Sequence, residues 1–184
     1  FAYDTGITAT EGIPGLLSWG PNPFGPANSA TEIDVDKLAN AARSDPRAAL
    51  TDTPWTNLNS FSGHGGKLIF YHGMSDPWFS ALDTLRYYQE MADDNGGIAQ
   101  VHNWSRLFLV PGMGHCSGGA ATLDNFDMLT ALTYWVEKGI APDFVIARGK
   151  AFPGRTRQLC AFPQHAQYSG HGDPESASSS ECSE

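Results

Sequence analysis

Residues 67–77 read KLIFYHGMSDP and residues 107–116 read LFLVPGMGHC, and these two stretches decide the fold. Each begins with a short apolar run and leaves through glycine, the second through Pro111-Gly112. Runs of that length, bounded by turn residues, predict buried strands. Behind the first, Pro77 stands where helices begin, and apolar residues recur at Leu82, Leu85, Tyr88 and Met91. That spacing predicts a helix from Phe79 to about Asp94, ended by Asn95-Gly96-Gly97. Behind the second, a helix is expected from about Thr122 to Lys138, with Gly139 as its stop. Its buried face is expected to hold Leu123, Phe126, Leu129, Thr133 and Val136. Strand, loop and helix, repeated, is the rhythm of an α/β protein with a parallel sheet.

Outward from this centre the signals weaken. Residues 1–30 are rich in Gly, Pro, Trp and Asn and read as an irregular segment packed through its aromatics. A helix is expected from Thr31 to about Leu50, with Ile33, Val35, Leu38, Ala41 and Ala42 on one side and a break at Asp45-Pro46. Beyond Pro142, two short extended segments are expected, Phe144–Ala147 and Arg157–Tyr168, around a turn at Pro153-Gly154. The tail SASSSECSE has the composition of a disordered segment, except that it contains Cys182. There is no internal repeat.

Composition narrows the function. The 184 residues carry a formal charge of −9, with 11 basic and 20 acidic side chains. That balance leaves no electrostatic footprint for nucleic acid or an anionic membrane. No apolar run approaches the ~20 residues of a membrane span. Hydrophobic residues make up 41%, enough for a core. The first residues, FAYDTG, lack an initiator Met, a basic n-region and an apolar h-region, so the chain is expected to begin at a cut. Three cysteines leave one without a partner inside the chain if the protein is secreted.

In an open parallel sheet, functional residues collect in loops at the carboxyl ends of the strands. Asp76 follows the first strand and His115 the second, so both belong to one edge. A carboxylate that holds one ring nitrogen of a histidine leaves the other free to take a proton from a serine. Asp76 has a second reading, as the N-cap of the helix that follows Pro77. The order acid, then histidine, is that of α/β-hydrolases. A nucleophile is missing: no G-x-S-x-G precedes Asp76, and no strand leads into Ser62. Ser117 lies two residues after His115 on the same loop, where the two side chains can hardly converge on one carbon, so it is rejected. A metal site built from His64, His72, His102, His115 and Cys116 lacks the compact ligand pairs of known motifs. Arg155 and Arg157 read as solvated or paired near the C-terminus.

HGMSDPWFS (72–80) followed by VPGMGHCSGG (110–119) resembles the acid and histidine loops of the tannase and feruloyl esterase family of α/β-hydrolases. RTRQLCAFPQHAQYSGHGD (155–173), with the late Cys182, resembles that family's C-terminal segment. The likeness runs from about Gly65 to Cys182. It implies the C-terminal part of an α/β-hydrolase fold, with the end of a lid over 1–60, the hydrolase core over 61–150 and a disulfide-stapled extension over 151–184. It implies a secreted or periplasmic ester hydrolase acting on aromatic acid esters, with Asp76 and His115 catalytic. By the same resemblance Cys160 pairs with Cys182, and Cys116 pairs with a cysteine beside the nucleophilic serine in an N-terminal portion that this chain does not contain. No cofactor is implied for catalysis. Calcium is expected only in the absent part of the lid, since no D-x-D-x-D-G run is present here. Trp19, Phe24 and Trp55 read as packing aromatics, with pocket lining as the other choice. The competing function is a non-catalytic, disulfide-stabilised binding or accessory subunit with a decayed hydrolase fold.

Overall fold

The computed structural model describes residues 34–46 and 53–184, and the chain divides after Pro54 into two compact units. In the first, α1 (Val35–Ser44) is capped by Asp34, whose carboxylate accepts the Lys37 amide at 2.9 Å. It stops just before Asp45-Pro46 and is shorter than the expected span from Thr31 to Leu50. The readings of residues 1–30, with Trp19 and Phe24, lie outside the described residues, as do those of Ile33 and the side chains of Val35, Leu38 and Ala42.

The second unit, Trp55–Glu184, opens with a short helix α2 (Asn59–Gly63) and strand β1 (Leu68–Gly73). Helices α3 (Ala81–Asp94) and α4 (Ile98–Val101) carry the chain across to β2 (Ser105–Val110). β1 and β2 pair in parallel, from Leu68 opposite Ser105 to Gly73 opposite Val110. A parallel pair needs such a crossover, and the two helices supply it. β2 is the core of the unit. Leu107 packs with Tyr88, Met91, Val101 and Trp104, while Phe108 and Val110 pack with Met113, Val145 and Leu159. Alternate side chains of one strand thus feed two apolar clusters, as the pleat requires. Truncating Phe108 to alanine here costs about 3–5 kcal/mol.

Several expectations shift by a turn or a face. The helix behind β1 begins at Ala81 rather than Phe79, because Ser80 caps it through its hydroxyl, which accepts the Leu82 amide. The helix behind β2, α5, spans only Met128–Lys138, capped by Asp127. Residues 122–127 instead run irregularly, and Asn125 makes an antiparallel bridge with Arg148. Of the expected face, Leu123 and Phe126 pack on the cluster around Phe108, from the irregular segment ahead of α5, while Leu129, 75% exposed, and Val136 turn outward. Trp135 is buried, and Met128 and Ala131 pack on the cluster around Phe108. A helix with apolar residues on both stripes offers a 3.6-residue period on either side, so periodicity alone could not choose. Trp55 does not pack as expected: its side chain is 77% exposed, while its carbonyl accepts the Tyr87 hydroxyl at 2.6 Å.

The remaining residues form two antiparallel pairs. β3 (Phe144–Ala147) lies against β4 (Arg157–Cys160), and β5 (His165–Tyr168) against β6 (Ser180–Ser183). The expected segment from Arg157 to Tyr168 is therefore two strands, parted at Ala161–Gln164, where Phe162–Pro163 is cis. The serine-rich tail is ordered. It passes through a 3₁₀ turn at Ala177–Ser179 into β6, and a Cys160–Cys182 disulfide ties it to β4. Among the described residues no helix is long and apolar enough to cross a membrane.

Candidate active site

The loops that follow β1 and β2 are stitched together by their backbones. The Met74 amide donates to the Val110 carbonyl and the Ser75 amide to that of Met113, each at 2.9 Å. Gly73 makes this approach possible. A Cβ there would stand 2.3 Å from the carbonyl oxygens of both Met113 and Gly114. Gly112, at φ +69°, lets the second loop turn back beneath Ala121, whose carbonyl would meet a Cβ at 2.1 Å.

That contact brings Asp76 and His115 together. The His115 Nδ1–H donates to Asp76 Oδ2 at 2.8 Å. The other oxygen, Oδ1, accepts the amides of Trp78 at 2.8 Å and Phe79 at 3.1 Å. Both readings of Asp76 are thus present in altered form: it caps the turn ahead of the helix, Ser80 caps the helix itself, and its second oxygen holds the histidine. The Asp76 side chain is only 3% exposed. Burial alone pushes its carboxyl up, but hydrogen bonds from His115 and the two amides, with the charge of His115, outweigh this and hold it below 3.8.

With Nδ1 donating to a carboxylate, the neutral ring leaves Nε2 as a bare acceptor. Nε2 has no hydrogen-bond partner among the described residues, and the side chain is 37% exposed. The rings of Trp78 and Phe79 flank the imidazole, with centroids 4.9 and 5.4 Å away. The His115 loop is tight: the Gly114 amide donates to the Gly118 carbonyl, Ser117 to that of His115, and Gly118 to the Asp124 carboxylate. Cys116 has a φ of 63° and an exposed free thiol.

Other candidates fall elsewhere. Among the described residues, no three His, Cys, Asp or Glu side chains converge as metal ligands. His64 bonds the Ser60 carbonyl, and His102 is half-buried. Arg155 and Arg157 both pair with Glu175, at 3.0 and 3.4 Å through their Nη2 atoms. They border an apolar cavity of about 510 Å³ lined also by Met74, Pro111, Phe152 and Leu159, but not by Asp76 or His115.

One participant escaped the sequence. His72, near the end of β1, approaches Asp76 Oδ2 through Nε2 at 3.3 Å. Its position four residues before the acid was the available signal, but its partners come from Phe79 and Thr84, which no local pattern links to it.

The chain matches the family described as tannase and feruloyl esterase over residues 27–183. It is 53% identical over 124 residues to a mono(2-hydroxyethyl) terephthalate hydrolase of Piscinibacter sakaiensis, covering 64% of this chain and 20% of that protein. It is 33% identical over 176 residues to a probable feruloyl esterase B-2 of Aspergillus fumigatus, covering 83% of this chain and 32% of the relative. Its fold matches the crystal structure of feruloyl esterase B from Aspergillus oryzae with a TM-score of 0.70 at 27% identity, covering 86% of this chain and 35% of that one. The chain therefore spans about a fifth to a third of the length of these proteins, and it folds as part of an α/β-hydrolase.

Proposed function

The chain belongs to the tannase and feruloyl esterase family, and on that basis we propose that it carries the acid and the general base of a serine-type hydrolase of aromatic acid esters. The observation that carries the reading is the 2.8 Å bond from His115 to Asp76, with Nε2 left open beside two aromatic rings.

In this reading the nucleophilic serine and the oxyanion-hole donors lie in sequence outside this chain. The free second edge of β1, which pairs only with β2 among the described residues, fits a sheet that continues there. His115 Nε2 takes the serine proton as the hydroxyl oxygen attacks the ester carbonyl, and Asp76 stabilises the imidazolium that forms. Collapse of the tetrahedral intermediate expels the alcohol, which receives the proton from Nε2. Water, deprotonated by the same nitrogen, then releases the aromatic acid and restores the serine. Trp78 and Phe79 offer apolar surface beside the reacting carbon.

The Cys116 thiol, exposed beside His115, closes a disulfide with a cysteine next to that serine. With the Cys160–Cys182 bridge, this suits a secreted or periplasmic protein. The chemistry draws on no cofactor. The family's lid calcium would belong to sequence outside this chain, which has no D-x-D-x-D-G run.

A fluorophosphonate probe tests the placement of the nucleophile. The full-length enzyme should hydrolyse methyl ferulate or a terephthalate monoester and take up one probe at a serine outside residues 1–184. Labelling of a serine within this chain, or turnover by the chain alone, would overturn the reading.

A further inference from the structure

Asp76 has a second imidazole neighbour that the triad does not require. His72 Nε2 lies 3.1 Å from the Phe79 carbonyl oxygen and 3.3 Å from Asp76 Oδ2. Its Nδ1 lies 2.7 Å from the Thr84 hydroxyl, in the first turn of α3. The side chain is 15% exposed, so these contacts replace water.

The partners determine where the ring proton sits. A carbonyl oxygen and a carboxylate oxygen can only accept, so Nε2 carries the hydrogen. Nδ1 of the neutral ring is then an acceptor, and the Thr84 hydroxyl donates to it. The ring is thereby locked as the Nε2–H tautomer and braced against β1, the acid turn and α3 at once.

From this geometry we infer that His72 is a positioning residue for catalysis, acting through Asp76, and that Thr84 sets its tautomer. The inference rests on the proposed Asp76–His115 pair. Asp76 Oδ1 is fixed by two backbone amides and Oδ2 by the His115 N–H at 2.8 Å, while His72 Nε2, whose hydrogen goes to the Phe79 carbonyl, lies 3.3 Å from the same Oδ2. A carboxylate held at both oxygens cannot rotate away from His115. His72 supports this arrangement through its hydrogen bond to the Phe79 carbonyl, which holds the turn whose amides bind Oδ1. Its bond to the Phe79 carbonyl also fixes the segment whose ring stands against His115.

The test uses the full-length enzyme with methyl ferulate. His72→Phe should lower kcat by about 10- to 100-fold with KM changed less than about threefold, the scale expected when a reacting group is held loosely. His72→Gln, which can return an N–H near the Nε2 position, should recover most of the loss. Thr84→Val should lower kcat several-fold, whereas Thr84→Ser should not. The far-downfield proton resonance of the His115–Asp76 bond should shift or broaden in His72→Phe and persist in His72→Gln. Wild-type kcat and an unchanged resonance in His72→Phe, or no recovery in His72→Gln, would overturn the inference. If His72→Phe fails to fold, the Thr84 pair decides, and wild-type kcat in Thr84→Val overturns it. Asp76→Asn and His115→Ala serve as controls: full activity in those would instead bring down the triad reading on which this one rests.

Discussion

Asp76 and His115 leave different strands and meet through one hydrogen bond, 2.8 Å from carboxylate Oδ2 to imidazole Nδ1. The parallel register sets this up. Gly73 stands opposite Val110, so the two strands end level and their loops start side by side. The amides of Met74 and Ser75 then bind the loops to one another before either side chain is placed. The pair is a product of backbone geometry first and side-chain chemistry second.

Gly73→Ala should therefore damage the site without touching it. The new methyl would meet two backbone carbonyl oxygens at 2.3 Å, and backbone cannot step aside as a flexible side chain does. The loops must part, at a cost of about 1–3 kcal/mol in stability. Turnover should fall by about 100-fold, since a misplacement of about 1 Å suffices for that. Urea denaturation and ester hydrolysis measure the two effects, and unchanged values in both would contradict the close approach described here.

The lowered carboxyl of Asp76 gives stability a defined dependence on pH. Because ionised Asp76 is favoured in the folded state, its contribution is fully present above the unfolded value, near 3.8. It is lost as pH falls through the lower, folded value. The gap in urea midpoint between wild type and Asp76→Asn should shrink as pH falls below about 4. A gap that widens below that pH would reverse the assigned sign.

Closing a loop with the Cys160–Cys182 bridge, 22 residues apart, restricts the unfolded chain by about 3 kcal/mol in the chain-entropy account. Cys160→Ala combined with Cys182→Ala should lower stability by roughly that amount and release β6 from β5 first. Hydrogen exchange would show this as fast exchange confined to residues 180–183. Retained protection there would mean that strand pairing alone holds the tail.

Cys116 offers a direct count. As an exposed free thiol it should react with one equivalent of iodoacetamide when this chain is prepared alone and unreduced. In the full-length enzyme the same residue should be protected until a reductant is added. Labelling of Cys116 in the oxidised full-length enzyme would refute the proposed bridge to the nucleophile's side.

The two strands, and the placement of Asp76 and His115 just beyond them, were legible because each depends on a local signal: an apolar run, a glycine exit, a polar residue just beyond. What depends on tertiary choice was misplaced. α5 has apolar stripes on both sides, Met128–Ala131–Trp135 and Leu129–Val136, and only tertiary packing selects the first, Met128 and Ala131 against the cluster around Phe108 and Trp135 beneath Lys67 and Arg106. The serine-rich tail looked disordered because its order is imposed from outside, by a disulfide and a partner strand. His72 looked like a stray ligand because Thr84 and the Phe79 carbonyl reach it only after α3 has formed.

The central claim, that His115 is the general base and Asp76 its orienting acid, is tested most directly by kcat for ester hydrolysis in the full-length enzyme. His115→Ala and Asp76→Asn should each lower kcat on the order of 10⁴-fold or more, with wild-type circular dichroism and little change in KM. A kcat within tenfold of wild type in either folded variant would contradict the account.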